Sequence, residues 1–478
     1  MNSRGAVHHR FPRRTFRFGR WSEFKTGAVG RLATSARAGL LEPGLFKPGD
    51  QDRQKFNVDA GRGEIMLIKD ASILDDGRLL RNVNIAIDGS RISGVGPGIP
   101  DESGDDSVID ASGKLAIPGL VNAHTHLAMT LFRGYADDME LMPWLQEKIW
   151  PLEARLKEED IRWGVKLGCL EMIRMGITCY NDMYYFMDET ARATKEMGLR
   201  AFLAGVIFDM HPEFLREAEP FIQRWKGDDL IRPTLGPHAI YTCSEETLIQ
   251  VREIAKRHEV PVHIHLSETR GEVDTFVNQR KMTPVEYMDS LDLLGPDLIA
   301  VHCIWLSPRD ITLLAKSKTT VVHTPVSNLK LASGIAPIDR LLQEGACVCL
   351  GTDGASSNNS LSIFQEMKTA AITQKNVWGP TTLRAEQVWR IATENAYRAF
   401  GLNMGLREGA LADLVLIDLR RPWFWPATNM HSHLVYSMMG GVDTVIVNGR
   451  VLMRHGQIPG EEEIIERAQK QFLDLTSR

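Results

Sequence analysis

The sequence predicts an α/β protein: a (β/α)8 TIM barrel with a small β-sandwich domain built from both chain flanks. Three observations predict it. A long middle stretch, about Pro118 to Leu402, alternates short apolar runs with longer amphipathic ones. Repeated strand–helix units of this kind close into a barrel in about 250 residues. Both flanks instead carry short Val/Ile-rich runs punctuated by Gly, Asp and Asn. A doubly wound open sheet is the alternative, but it calls for a Gly-rich phosphate loop after an early strand, and the chain carries none.

Residues 1–63 come first. From His8 to Leu40 they are arginine-rich, Glu23 is the only acid, and there is no apolar h-region. That argues against a secretory signal. The composition fits a transit peptide or a disordered tail, and a disordered extension is the expectation. "IMLIKDASIL" from Ile65 marks the start of the fold. "MLIKDASIL", "NVNIAIDGSRISGVG" and "SVIDASGKLAIPG" read as antiparallel strands, as do "ADLVLIDL" and "VDTVIVNGRVLM" near the other end. Residues 64–117 and 405–456 are expected to join into one β-domain around a barrel of residues 118–404. A C-terminal helix is expected over 457–478.

The first barrel strand lies in "GLVNAHTHLAMT". "GITCYNDM", "RAFLAGVIF", "RPTLGPHA", "VPVHIHLSE", "LIAVHC", "TTVVHTP" and "CVCLGTD" follow it. Between them, "SEETLIQVREIAKRHE" and "SPRDITLLAKSK" carry helical periodicity behind Ser caps.

The 478 residues are 43% hydrophobic, enough for one large domain and a smaller one. A net charge of −5 makes nucleic acid and anionic membranes poor partners. No apolar run reaches the roughly 20 residues that span a bilayer. Six scattered cysteines without a C-x-x-C pair fit a reducing, cytoplasmic compartment.

The chemistry sits at the strand ends: His124 and His126, His238, His265 with Glu268, His302, His323 and Asp353. In a (β/α)8 barrel those ends face one pocket. A His-x-His pair on a strand places both imidazoles on one face, where they bind one ion or simply satisfy local hydrogen bonds. "HIHLSE" adds His263, His265 and Glu268, a ligand with an acid/base beside it or a solvated strand rim. His302 alone reads as a core histidine and Asp353 alone as a turn aspartate. Together these residues form a mixed N/O set suited to Zn²⁺, Fe²⁺ or a similar ion. The H-x-E…P-C-x-x-C signature of one zinc-dependent hydrolytic fold is absent.

Several motifs here resemble those of the amidohydrolase superfamily: "PGLVNAHTHLAMTLFRG", "GPHAIYTCSEETL", "HIHLSET", "HTPVSNLKLASGIAPI" and "LGTDGASSNNSL". Within it they resemble the 5′-methylthioadenosine/S-adenosylhomocysteine deaminase group, including the 5′-deoxyadenosine deaminases. The resemblance runs from Ile65 to Met453. It implies His124, His126, His265 and Asp353 as ligands of one divalent ion, Zn²⁺ or Fe²⁺. No lysine occupies "RPTLGPHA", where two-metal relatives carry one. It implies Glu268 at N1 of the purine, His302 and Asp353 on the hydrolytic water, His238 on the substrate and Glu153 on the ribose hydroxyls. The implied reaction is hydrolytic deamination of 5′-modified adenosines by a homo-oligomer, tetramer or dimer. The position matching an arginine of some relatives is Gly205, and the missing arginine favours small 5′ groups, unless Arg216 substitutes from the following loop. Another reaction on the same scaffold, such as a triazine chlorohydrolase or a guanine or cytosine deaminase, is the alternative. A non-catalytic assembly protein is the reading from a different class.

Overall fold

The computed structural model describes residues 65–99 and 107–478. The extension expected over residues 1–63 lies outside the described residues.

The flanks form one eight-stranded mixed sheet. Its N-terminal strands are β1 (Ile65–Asp75), β2 (Arg78–Asp88), β3 (Arg91–Gly96), β4 (Val108–Asp110) and β5 (Lys114–Pro118). Tight turns at Asp76–Gly77 and Gly89–Ser90 make β1, β2 and β3 antiparallel. "SVIDASGKLAIPG" departs from the antiparallel expectation. Its two strands, β4 and β5, pair with β1 in parallel. They enter on the far edge of β1 after a crossover, and only a hairpin forces antiparallel pairing.

The barrel strands are β6 (Leu120–Thr125), β7 (Ile177–Tyr184), β8 (Arg200–Ile207), β9 (Ile231–Pro237), β10 (Val262–Leu266), β11 (Leu298–His302), β12 (Thr320–His323) and β13 (Cys347–Leu350). They pair in chain order, all parallel. Being covered on both faces, they read as nearly continuous apolar runs. All eight residues of β7 are buried. After β13 the backbone N–H groups of Thr352 and Asp353 both donate to the His124 carbonyl at 3.0 Å, joining the last strand end to the first.

The chain then returns to the mixed sheet through β14 (Leu414–Asp418), β15 (Val442–Val447) and β16 (Arg450–Met453). β14 lies antiparallel to β5, so both flanks share one sheet. Met66, Ile85, Ile109, Leu414 and Ile446 meet in a single core cluster. The last helix, Glu461–Ser477, is anchored on buried Asp160: Gln471 Nε2 donates to Oδ1 at 2.5 Å and Arg478 Nη1 to Oδ2 at 2.7 Å.

The helix Glu245–His258 shows the local logic. The Ser244 side chain accepts from the Thr247 N–H, Glu245 and Glu246 sit in the positive first turn, and Lys256, Arg257 and His258 sit in the negative last turn.

Candidate active site

Strand ends bring the polar residues together. His124 and His126 leave β6 with ring centroids 4.8 Å apart, and His265 on β10 lies 5.0 Å from His124. Asp353 follows β13, with Oδ1 3.4 Å from Nε2 of both His124 and His126. Glu268 stands two residues past β10, and its Oε2 lies 3.8 Å from Nε2 of His302 at the end of β11. His302, Asp353 and Ser267, the neighbour of Glu268, take φ of +70°, +63° and +54°. Ile299 and Val301 point into the barrel core, so plain alternation would turn His302 away from the mouth. The left-handed step redirects it, a strained geometry costing about 1–3 kcal/mol per residue and typical of functional sites.

The other ring nitrogens are tied down. His126 Nδ1–H donates to the Met183 carbonyl at 2.6 Å, and His265 Nδ1–H to that of His238 at 2.7 Å. Their Nε2 lone pairs therefore face the site. His124 Nδ1 lies 2.9 Å from His263 Nε2. Ser327 Oγ donates to Asp353 Oδ2 at 2.6 Å, and the Gly354 N–H to Oδ1 at 2.7 Å. His302 Nδ1 is 2.9 Å from Asn328 Oδ1.

Burial holds His124 down to about 4 against the pull of Asp353. It also holds His265 well below the usual histidine range. Both are therefore neutral and able to donate a lone pair. Burial alone would raise Asp353, but His124, His126 and His302 around it hold it well below the carboxylate range, which favours the ionised form. Among the described residues, buried His124 Nε2 has no hydrogen-bond partner. An orphaned, buried nitrogen facing an ionised carboxylate and two more imidazoles fits one divalent ion held by His124, His126, His265 and Asp353.

Around this cluster the pocket is largely apolar, with Trp144, Trp150, Phe208, Tyr241 and Leu331 on its wall. His238 lines it beside His265, and burial pushes it down to about 3. Glu153, in a helical turn at Trp150–Glu153, reaches the same pocket and accepts from Tyr184 O–H at 2.8 Å. Burial pushes Glu153 up to about 7. A wider apolar vestibule of about 1250 Å³ adjoins, sharing Glu153, Tyr185, Phe208, Tyr241 and Glu268 with the pocket.

The structure thus brings together Glu153, His124, His126, His238, His265, Glu268, His302 and Asp353. Three readings need correction. His323 closes β12 but does not line the pocket. Gly205 does not take the substrate-facing position expected of it, since a Cβ there would point at Met187, away from the site. Val206 and Phe208 face the pocket instead, because side chains alternate along β8. Arg216 sits exposed on the helix Pro212–Trp225, away from the pocket lining. Ser327, Asn328 and Tyr184 were missed. The first two lie inside "HTPVSNLKLASG", where small polar residues just past a strand end are the available signal.

Fold and site together define a metal-dependent hydrolase built on a (β/α)8 barrel. The chain belongs to the amidohydrolase family, whose pattern it matches over residues 115–452. It is similar to the 5′-deoxyadenosine deaminase of Methanothrix thermoacetophila, 63% identical over 413 residues, which are 86% of this chain and 100% of that one. It is also similar to the 5-methylthioadenosine/S-adenosylhomocysteine deaminase of Moorella thermoacetica, 45% identical over 422 residues, covering 85% of this chain and 99% of that one. Among solved structures, a zinc-bound adenosine deaminase from Xanthomonas campestris superposes with a TM-score of 0.83 at 34% identity, covering 86% of this chain and 99% of the other.

Proposed function

We propose that the protein hydrolyses the C6 amino group of 5′-modified adenosines, namely 5′-deoxyadenosine, 5′-methylthioadenosine, S-adenosylhomocysteine and adenosine, giving the inosine analogue and ammonia. The observation that carries it is the pairing of the His/Asp cluster with the buried carboxyl Glu268, in a pocket that also contains the half-buried carboxyl Glu153. The names of the relatives point the same way. A 5′ substituent has room in the adjoining vestibule.

His124, His126, His265 and Asp353 would hold the ion, and zinc is the identity we favour because a 34% identical structure holds it. When bound, a divalent ion supplies the Lewis acidity that brings water close to ionisation at neutral pH. Asp353 takes the proton of the attacking water on a carboxylate oxygen. His302, fixed by Asn328 at Nδ1, orients that water through Nε2. Glu268 is raised from its ordinary value by burial, against the charge of His302. That shift favours the protonated carboxyl, the form that can give its proton to purine N1 so that no charge builds up in the ring as C6 becomes tetrahedral. Asp353 then returns its proton to the departing amine, and as C6–O becomes the carbonyl the hydroxyl proton replaces the one that Glu268 gave to N1. His238 contacts the substrate beside His265, and Glu153 accepts from the ribose hydroxyls. Each proton transfer of this kind is typically worth about 10²–10⁴-fold.

We place the enzyme in the cytoplasm, as six unpaired cysteines suggest, and as a homo-oligomer, dimer or tetramer. No helix among the described residues is long and apolar enough to cross a membrane.

Ammonia release from 5′-deoxyadenosine, methylthioadenosine, S-adenosylhomocysteine, adenosine and guanine tests the reading. Turnover of the adenosines is expected. Turnover of guanine alone would refute it.

A further inference from the structure

Glu272 is a carboxyl that the proposed reaction does not use, yet its hydrogen bonds end on a residue that the reaction does use. It stands in the first turn of the helix Arg270–Arg280, half-buried beside the vestibule and outside the inner pocket. Thr269 Oγ1 accepts from the Glu272 N–H at 3.1 Å, and Glu272 Oε2 accepts from the Thr269 N–H at 3.4 Å. That reciprocal pair is an ordinary helix start. Two further bonds do not belong to it. Glu272 Oε1 accepts from the Ser267 N–H at 3.0 Å, and Oε2 from the Glu268 N–H at 2.8 Å. One carboxylate thus collects the backbone N–H groups of Ser267, Glu268 and Thr269.

This stretch decides where Glu268 points. His265 faces the site and Leu266 packs outward among the helices. Plain alternation would send Glu268 outward like Leu266. Ser267 instead takes φ of +54°, and that step turns Glu268 into the pocket. On its carbonyl side the bend is held by the N–H groups of Ile304 and Trp305, which donate to the Ser267 oxygen at 3.0 and 3.1 Å. Glu272 holds its N–H side. A helix start alone does not call for a carboxylate, because glutamine serves there as well. The place is also a poor one for a charge: burial, then repulsion from Glu268, pushes Glu272 up to about 7. What glutamine lacks is the second acceptor oxygen.

We propose that Glu272 is the positioning residue for Glu268: it fixes the Ser267 bend so that the Glu268 carboxyl faces the purine. The inference rests on the deamination proposed above.

Kinetics on 5′-deoxyadenosine, whose small 5′ group keeps the vestibule out of the comparison, test it. Glu272→Gln keeps a capping oxygen and loses one acceptor. Its kcat is expected to fall about tenfold or more, with KM changed less than about threefold and one ion per chain retained. In a Glu268→Gln background the same change is expected to cost less than about threefold, because the proton donor it would aim is already gone. Wild-type kcat in Glu272→Gln, or an equal further loss in the Glu268→Gln background, would overturn the positioning role and leave the deamination standing. A wild-type protein that releases no ammonia from any of the adenosines would overturn both together.

Discussion

Glu268 and His302 face each other across the pocket, and each has one job in the proposed reaction. Glu268→Gln keeps the size and removes the proton for N1. Its kcat is expected to fall by about 10²–10⁴-fold while elemental analysis still finds one ion per chain. Wild-type turnover would take Glu268 out of the mechanism. Glu153 makes a pH prediction. Burial raises it from 4.5 to about 7, so the protonated form is favoured in the fold. Its contribution to stability is present below the ordinary carboxylate range and is lost as pH rises through about 7. In the proposed complex binding runs the other way, because only the carboxylate would accept from both ribose hydroxyls. KM for adenosine is expected to fall as pH rises through about 7, and Glu153→Gln should raise KM and flatten that step. Tyr184→Phe removes the hydroxyl that holds Glu153 and should raise KM with little change in kcat. A matching loss in kcat would mean that Tyr184 also supports His126, whose ring centroid lies 6.1 Å away.

At the scale of elements, β6 and β13 decide whether the site forms. A Cβ on Gly351 would sit 2.7 Å from the His124 backbone nitrogen and 2.9 Å from its carbonyl oxygen. No side chain can yield there, since the neighbour is backbone. Gly351→Ala is expected to force the two strand ends apart, cutting metal content well below one ion per chain and lowering thermal stability. Full metal occupancy in that variant would contradict the closure read from the Thr352 and Asp353 hydrogen bonds. The elements themselves were largely legible. Parallel strands buried on both faces announce themselves as apolar runs, and the Ser caps announce their helices. The orientation of β4 and β5 was not legible, because it depends on which edge of β1 they join after a crossover. The face of Gly205 was not legible either: one residue of register along β8 moves a side chain from the pocket to the outer wall.

In the whole molecule, the mixed sheet and the barrel are pinned by one buried ion pair. Arg200 on β8 donates from Nε and Nη2 to Asp413 at 3.0 and 3.1 Å, and the Asn448 N–H donates to the same carboxylate at 2.8 Å. Asp413 is 1% exposed. Asp413→Ala strands a buried guanidinium and is expected to cost about 3–5 kcal/mol in denaturant unfolding. A loss under about 1 kcal/mol would mean that the two sheets hold together without it. The chain by itself determined the barrel, the sharing of a β-rich region between its two ends, and the residue types of the site. Those follow from periodicity and from histidines placed where apolar runs stop. Only the tertiary structure decided which side chains converge. Ser327 reaches Asp353 across 26 residues and Tyr184 reaches Glu153 across 31. The positive φ at His302 that turns its ring inward is a property of the folded backbone. Contacts between sequence-distant loops and the handedness of a single residue leave no periodic trace in the chain.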